Sequence, residues 1–219
     1  MNLKSIRYCG ATAIAVATLL HSGYAAAWKV DLHIWIAQQV VNDAADGELT
    51  LELDNSTFRV LIPPRIQQAI TENPKDFLLG SIGPDAFPGA ITGQTVIHPS
   101  TEGGWGTSEW LQHILQQGEL TNKELAFVFG FFTHAASDVF AHTFVNRYSG
   151  DVFDLQNHPG AATRHIYVES LISNYIPALR NIRGKDLGSA ADLVRENGKM
   201  EIPENLLQRV RLQKNVCVL

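Results

Sequence analysis

The run Gly130-Phe131-Phe132-Thr133-His134-Ala135-Ala136-Ser137-Asp138-Val139-Phe140-Ala141-His142 places two imidazoles and a carboxylate at i, i+4 and i+8 in mostly apolar company. On a helix each step of four residues turns about 40° past eclipse, so the three side chains share one stripe. Burying such groups costs free energy unless something satisfies them, and a divalent cation does this more completely than water. The alternative is a pair of core histidines bonded to backbone, with Asp138 as their partner. His134 and His142 stand two turns apart, roughly 12 Å along the axis. A zinc–nitrogen bond is about 2.1 Å. The two histidines therefore serve different ions, and Asp138 between them can give one oxygen to each.

Further donors must come from elsewhere. His165 and Glu169 form another i, i+4 pair on the next expected helix. With His142 they could complete a three-ligand site that leaves a position for water, the pattern of a catalytic zinc. Alone, HxxxE is a weak motif that usually marks a solvated helix face. Asp85, which follows Gly83-Pro84, and His98, which precedes a proline, lie in a long polar loop and could join His134 and Asp138; each singly also reads as a turn residue. Trp28 and His33 complete the inventory. A free α-amine and its own carbonyl form a five-membered chelate, and an amine of pKa about 7.7–8.0 yields its proton easily to a metal. Otherwise Trp28 is an ordinary first residue and His33 an exposed histidine at a helix start. His113 and His158 read as structural, although His158 is near enough to His165 to be an alternative donor.

Trp28 has a free amine only after cleavage. Lys4 and Arg7, an apolar stretch over residues 11–20, and Ala25-Ala26-Ala27 read as a secretory signal peptide over residues 1–27. Residues 28–219 are then one catalytic domain, exported to the periplasm or the medium, with a C-terminal end that looks short. The apolar stretch falls below the roughly 20 residues of a spanning helix, and no later segment reaches that length without polar interruption. Cys9 leaves with the leader, so Cys217 alone remains and neither an internal disulfide nor a Cys-rich zinc site can form.

The elements that must position these residues are mostly helical. Apolar spacing predicts a helix over residues 32–45 ended by Asp46-Gly47, and short β-prone runs over 49–53 and 58–62 joined by Asp54-Asn55-Ser56-Thr57. Pro63-Pro64 opens a helix that Asn73-Pro74 closes. Residues 80–106 form a long loop, and another helix runs from 107 or 108 to 117. Thr121-Asn122-Lys123-Glu124 fits a capping box, followed by a helix to about residue 148 that is apolar nearly all round and hence central. Helices over 161–175, 189–196 and 203–213 follow. The expected fold is an all-α, compact multi-helix domain with a small β-hairpin.

Composition agrees with one globular domain: 219 residues, 45% hydrophobic and 18% charged. With 17 Lys+Arg against 22 Asp+Glu the net charge is −5, becoming −7 without Lys4 and Arg7. That balance argues against a stable nucleic-acid partner held through its phosphates. The 8 His beside 2 Cys point to imidazole chemistry.

These residues in this order resemble the zinc-dependent phospholipase C family, with its relatives the fungal single-strand-specific nucleases and the catalytic domain of glycosylphosphatidylinositol-specific phospholipase D. The resemblance covers Trp28 to Glu169. It implies about three zinc ions: Trp28 and His33 on one, Asp85, His98 and His134 on another, Asp138 bridging, and His142, His165 and Glu169 on the third. It also implies that Asp85 orients or deprotonates the attacking water, with Asp31 as the competing base. The five-residue step from Trp28 to His33 looks like the nuclease branch. The close Asp138 to His142 spacing resembles the phospholipase D-type domain, so spacing supports the superfamily more than any substrate.

Such a site suits phosphodiester hydrolysis, two close metal ions generating hydroxide and holding the phosphoryl oxygens while a third stabilises the leaving alkoxide. The expected activity is a phospholipase C acting on phosphatidylcholine or a related phospholipid at a membrane surface. Phe87, Trp105 and Trp110 form either an interfacial lip or core packing. Between Asp76 and Asn146 Lys123 is the only Lys or Arg, which favours lipid over polynucleotide. The rivals are a nuclease, phosphatase or phospholipase D-type enzyme on the same scaffold, and a non-catalytic metal-binding or membrane-interaction module.

Overall fold

The computed structural model describes residues 30–53, 55–83, 112–116, 118–151, 154–195 and 200. The expected leader, Trp28, Asp85, His98, the aromatics Phe87, Trp105 and Trp110, and the helix over 203–213 lie outside them.

Helix α1 (Val30–Asp43) turns Leu32, His33, Ile34, Ala37 and Gln38 inward. A 3₁₀ turn, Ala44–Asp46, finishes it, and Gly47 at φ 90° returns its N–H to the Ala44 carbonyl at 3.1 Å. Glycine takes that left-handed conformation without a Cβ clash. Strands β1 (Glu48–Leu53) and β2 (Ser56–Leu61) pair antiparallel, with Leu49 opposite Val60 and Leu51 opposite Phe58. The connection is two residues rather than the expected four, because Ser56 and Thr57 already pair with Leu53 and Glu52. Asn55 at φ 68° supplies the positive φ that short hairpin turns require.

Helix α2 (Pro64–Glu72) ends as expected, but Asn73-Pro74 also opens α3 (Pro74–Gly80). A proline lacks the N–H that would extend one helix, yet fits the first turn of the next, where that N–H would have no helical partner. Gly80 belongs to α3 and not to the loop that follows. Residues 112–115 are helical, in the region where a helix is expected.

The long central helix is α4 (Asn122–Ser149). Its capping box is present: Thr121 Oγ1 accepts the Glu124 N–H at 3.3 Å, and Glu124 Oε2 accepts the Thr121 N–H at 2.7 Å. Its 28 residues are long and apolar enough to cross a membrane by length and composition alone, even with the polar interruptions at Thr133, His134 and Asp138. Most of its most apolar stretch is buried, as befits the axis of a core. Helix α3 meets α4 backbone to backbone. A Cβ on Gly80 would lie 2.0 Å from the Phe127 carbonyl oxygen, and one on Gly130 would lie 2.0 Å from that of Phe77. Only glycine allows this approach from both sides. Around the crossing, Ile34, Ala69, Phe77, Ile82, Val128 and Phe131 form the centre of the core.

Helix α5 (Ala161–Ser173) packs on α4. The short α6 (Ala190–Val194) starts at Ser189, whose hydroxyl accepts the Asp192 N–H at 3.3 Å, and it packs on α1 and α3. The domain is all-α with one small hairpin.

Candidate metal centre

The inner face of α4 meets α1 at one level and α5 two turns further on, and each meeting gathers two imidazoles and a carboxylate. The first cluster is His33, His134 and Asp138; the second is His142, His165 and Glu169. In each, one ligand atom per residue lies within 4.8 Å of the others, and all six residues are buried.

In the first cluster His33 Nε2 is 3.4 Å from Asp138 Oδ1, and His134 Nε2 is 3.0 Å from Asp138 Oδ2. The carboxylate thus turns one oxygen to each histidine. The imidazole rings stack, with centroids 3.9 Å apart and planes 22° from parallel. His134 Nδ1 lies 2.8 Å from the Ser81 carbonyl oxygen. A carbonyl only accepts, so that nitrogen carries the proton and Nε2 presents a lone pair, or a second proton, to Asp138. Protonating both stacked rings would set two positive charges face to face. A cation taking the imidazole lone pairs and the carboxylate charge removes that conflict.

Burial by itself pushes the Asp138 carboxyl upward. The His134 hydrogen bond and the charges of His134, His33 and His142 outweigh it, and hold the group at about 2 against an ordinary 3.8. Asp138 is therefore an anion at any pH near neutrality.

In the second cluster His165 Nε2 is 2.6 Å from Glu169 Oε1, and the His142 and His165 rings meet edge to face with centroids 5.1 Å apart. His165 Nδ1 lies 3.2 Å from Asn146 Oδ1, an acceptor that leaves Nε2 directed at Glu169. The donor sets fit a zinc-type cation: imidazole nitrogen with carboxylate oxygen, and Nδ1 of His134 and His165 each occupied by an oxygen acceptor, as metal-bound histidines generally require.

The structure thus brings together six of the nine expected ligands, His33, His134, Asp138, His142, His165 and Glu169. Trp28, Asp85 and His98 lie outside the described residues. His33 is buried, not an exposed helix-start histidine. Asp31 is exposed, two residues before His33 and so towards the opposite side of α1, and it joins neither cluster. His158 is exposed and His113 half-buried; neither belongs to a cluster among the described residues. Sequence reasoning missed Ser81, Ser137 and Asn146, whose oxygens face Nδ1 of His134, His33 and His165. Ser137 and Asn146 follow His134 and His142 by three and four residues, so extending the ligand stripe would have found them. A backbone carbonyl such as that of Ser81 leaves no mark in the residue pattern.

A family model described as zinc dependent phospholipase C matches residues 32–199. No curated protein and no solved structure matches the chain. The matched span takes in both clusters and, but for the first two residues of α1, the three helices that carry them, and the chain belongs to the zinc-dependent phospholipase C family.

Proposed function

We propose that the protein is an exported zinc phosphodiesterase that hydrolyses phosphatidylcholine or a related phospholipid to diacylglycerol and a phosphorylated headgroup. The observation that carries this reading is the pair of buried His/carboxylate clusters along one helix inside the family match. His33, His134 and Asp138 would hold zinc at one end, and His142, His165 and Glu169 at the other. Zinc bound there supplies a Lewis acid for phosphoryl oxygens and makes water acidic enough to act near neutral pH. Asp138, ionised and shared between two imidazoles, fixes both rings against rotation. The fixed Nδ1–H of His134 keeps its Nε2 turned inward. Asp85, by the family resemblance, would orient or deprotonate the attacking water. Asp31, on the exposed side of α1, is poorly placed for that role. Trp28, once freed by removal of residues 1–27, would add its amine and carbonyl beside His33, bringing the complement to about three ions. The scarcity of cations between Asp76 and Asn146 supports a lipid over a polynucleotide.

Processed protein beginning at Trp28 is expected to hold about three zinc ions and to release diacylglycerol from mixed phospholipid vesicles. Chelator should abolish this activity, and an extra residue before Trp28 should cost metal and most turnover. One zinc ion or none would sink the trinuclear reading. Nucleotide release from single-stranded DNA, or phosphatidic acid from a glycosylphosphatidylinositol-anchored protein, in place of diacylglycerol would move the enzyme to another branch of the superfamily.

A further inference from the structure

Ser137 sits on α4 between His134 and Asp138, two of the three ligands of the first cluster. Its hydroxyl makes two contacts: Oγ donates to the His134 carbonyl oxygen at 2.8 Å, and the same Oγ lies 3.1 Å from His33 Nδ1. A serine hydroxyl has one hydrogen. The His134 carbonyl can only accept, so that hydrogen is committed to it. The contact with His33 must then run the other way, with Nδ1–H donating to Oγ. His33 is thereby held with its proton on Nδ1 and its Nε2 directed at Asp138 Oδ1, 3.4 Å away.

We propose that Ser137 is the positioning residue that makes His33 a metal ligand, by locking its tautomer and ring orientation from α4. The inference rests on the reading of the first cluster as a zinc site, and adds to it the group that prepares the histidine arriving from another helix. His134 has a backbone carbonyl for this purpose, fixed by the α3–α4 crossing. His33 comes from α1, and the hydroxyl ties its ring to the backbone carbonyl of His134 on α4. A half-buried serine in mid-helix is otherwise a mildly unfavourable choice.

The test compares Ser137→Ala with Ser137→Thr in the processed holoprotein. Losing an outer partner of a metal-bound histidine typically weakens the metal by roughly 10- to 100-fold. S137A should lose zinc that much more easily in a chelator competition, by one ion's worth, with the remaining zinc and the helical circular dichroism unchanged. S137T keeps the hydroxyl, and threonine in a helix makes the same bond to a preceding carbonyl, so it should restore affinity to near wild type. Nitrogen-15 chemical shifts of the His33 ring in the unaltered holoprotein give a readout that needs no variant: a proton on Nδ1 and none on Nε2. Wild-type zinc retention by folded S137A, failure of folded S137T to restore it, or a proton on His33 Nε2 would each overturn the assignment. If the holoprotein itself carries no zinc, the metal reading fails instead, and the two failures are told apart by metal content before any substitution is made.

Discussion

Asp138→Asn is expected to lower kcat/KM by at least about 100-fold and to strip zinc from the first cluster, while His142, His165 and Glu169 stay loaded. Losing even an outer-shell partner costs roughly 10- to 100-fold in metal affinity or activity, so losing a shared direct ligand sets that as a floor. Asparagine matches the carboxylate in shape, so the fold should survive and the defect should lie in metal content. The substitution removes the one carboxylate that the first cluster holds among the described residues, and leaves two stacked imidazoles facing a neutral amide. Kinetics alongside elemental analysis of the purified variant decide it. Full zinc content with normal turnover would show that Asp138 is only a hydrogen-bonding partner of two core histidines.

The same carboxylate separates two acid effects. Its folded-state pKa is lowered to about 2 from 3.8, so the stability it contributes is complete above 3.8 and is lost only as pH falls through about 2. Zinc release and loss of activity should begin much higher, where histidines ordinarily gain protons, around 6.5. A pH series of zinc retention should therefore show its acid limb well above 3.8. A limb near 2–3 would assign the loss to Asp138.

Gly130→Ala carries the largest expected effect on stability. The added Cβ would stand 2.0 Å from the Phe77 carbonyl oxygen and 3.0 Å from the Ser81 nitrogen, both backbone atoms that cannot swing aside. The two helices must part, and overpacking of this kind costs about 3 kcal/mol. For a domain of this size that lowers Tm by about 6–12 °C. The damage should reach the metal as well, because the displaced segment carries the Ser81 carbonyl that receives the His134 Nδ1 proton. Thermal melts and zinc affinity should fall together, the first cluster before the second. An unchanged Tm would mean that α3 and α4 are further apart than their backbones indicate.

Helices with caps or strong periodicity were legible from sequence: the Thr121/Glu124 box, the 28-residue run behind it, and the Gly47 stop. Helix α3 was not, because seven residues hold barely two turns and Phe77-Leu78-Leu79 shows no period; Pro74 read as a stop when it is also a start. The hairpin turn came out two residues too long because Ser56 and Thr57 are turn-type residues, and only cross-strand pairing shows that they are strand. The i+4 and i+8 spacing of Asp138 and His142 from His134 gave the stripe on α4, since helical geometry alone puts them on one side. That His33 is buried against this stripe, and not exposed at a helix start, depends on how α1 packs, which no local pattern encodes. The glycine contacts between α3 and α4 were equally invisible, since Gly80 and Gly130 lie 50 residues apart and Gly80 read as the start of a loop.

Helix α4 is also a ruler. His134 and His142 are eight residues apart on a helix whose hydrogen-bonded rise is 1.5 Å per residue, so their axial gap is about 12 Å and is set before anything binds. A bound molecule can no more shorten that gap than it can remove a turn of helix. For a chelating inhibitor with a metal-seeking group at each end, linker length is therefore dictated by the protein. One that is too short engages a single cluster and gains nothing from its second arm, and one that is too long dilutes the gain through its own slack.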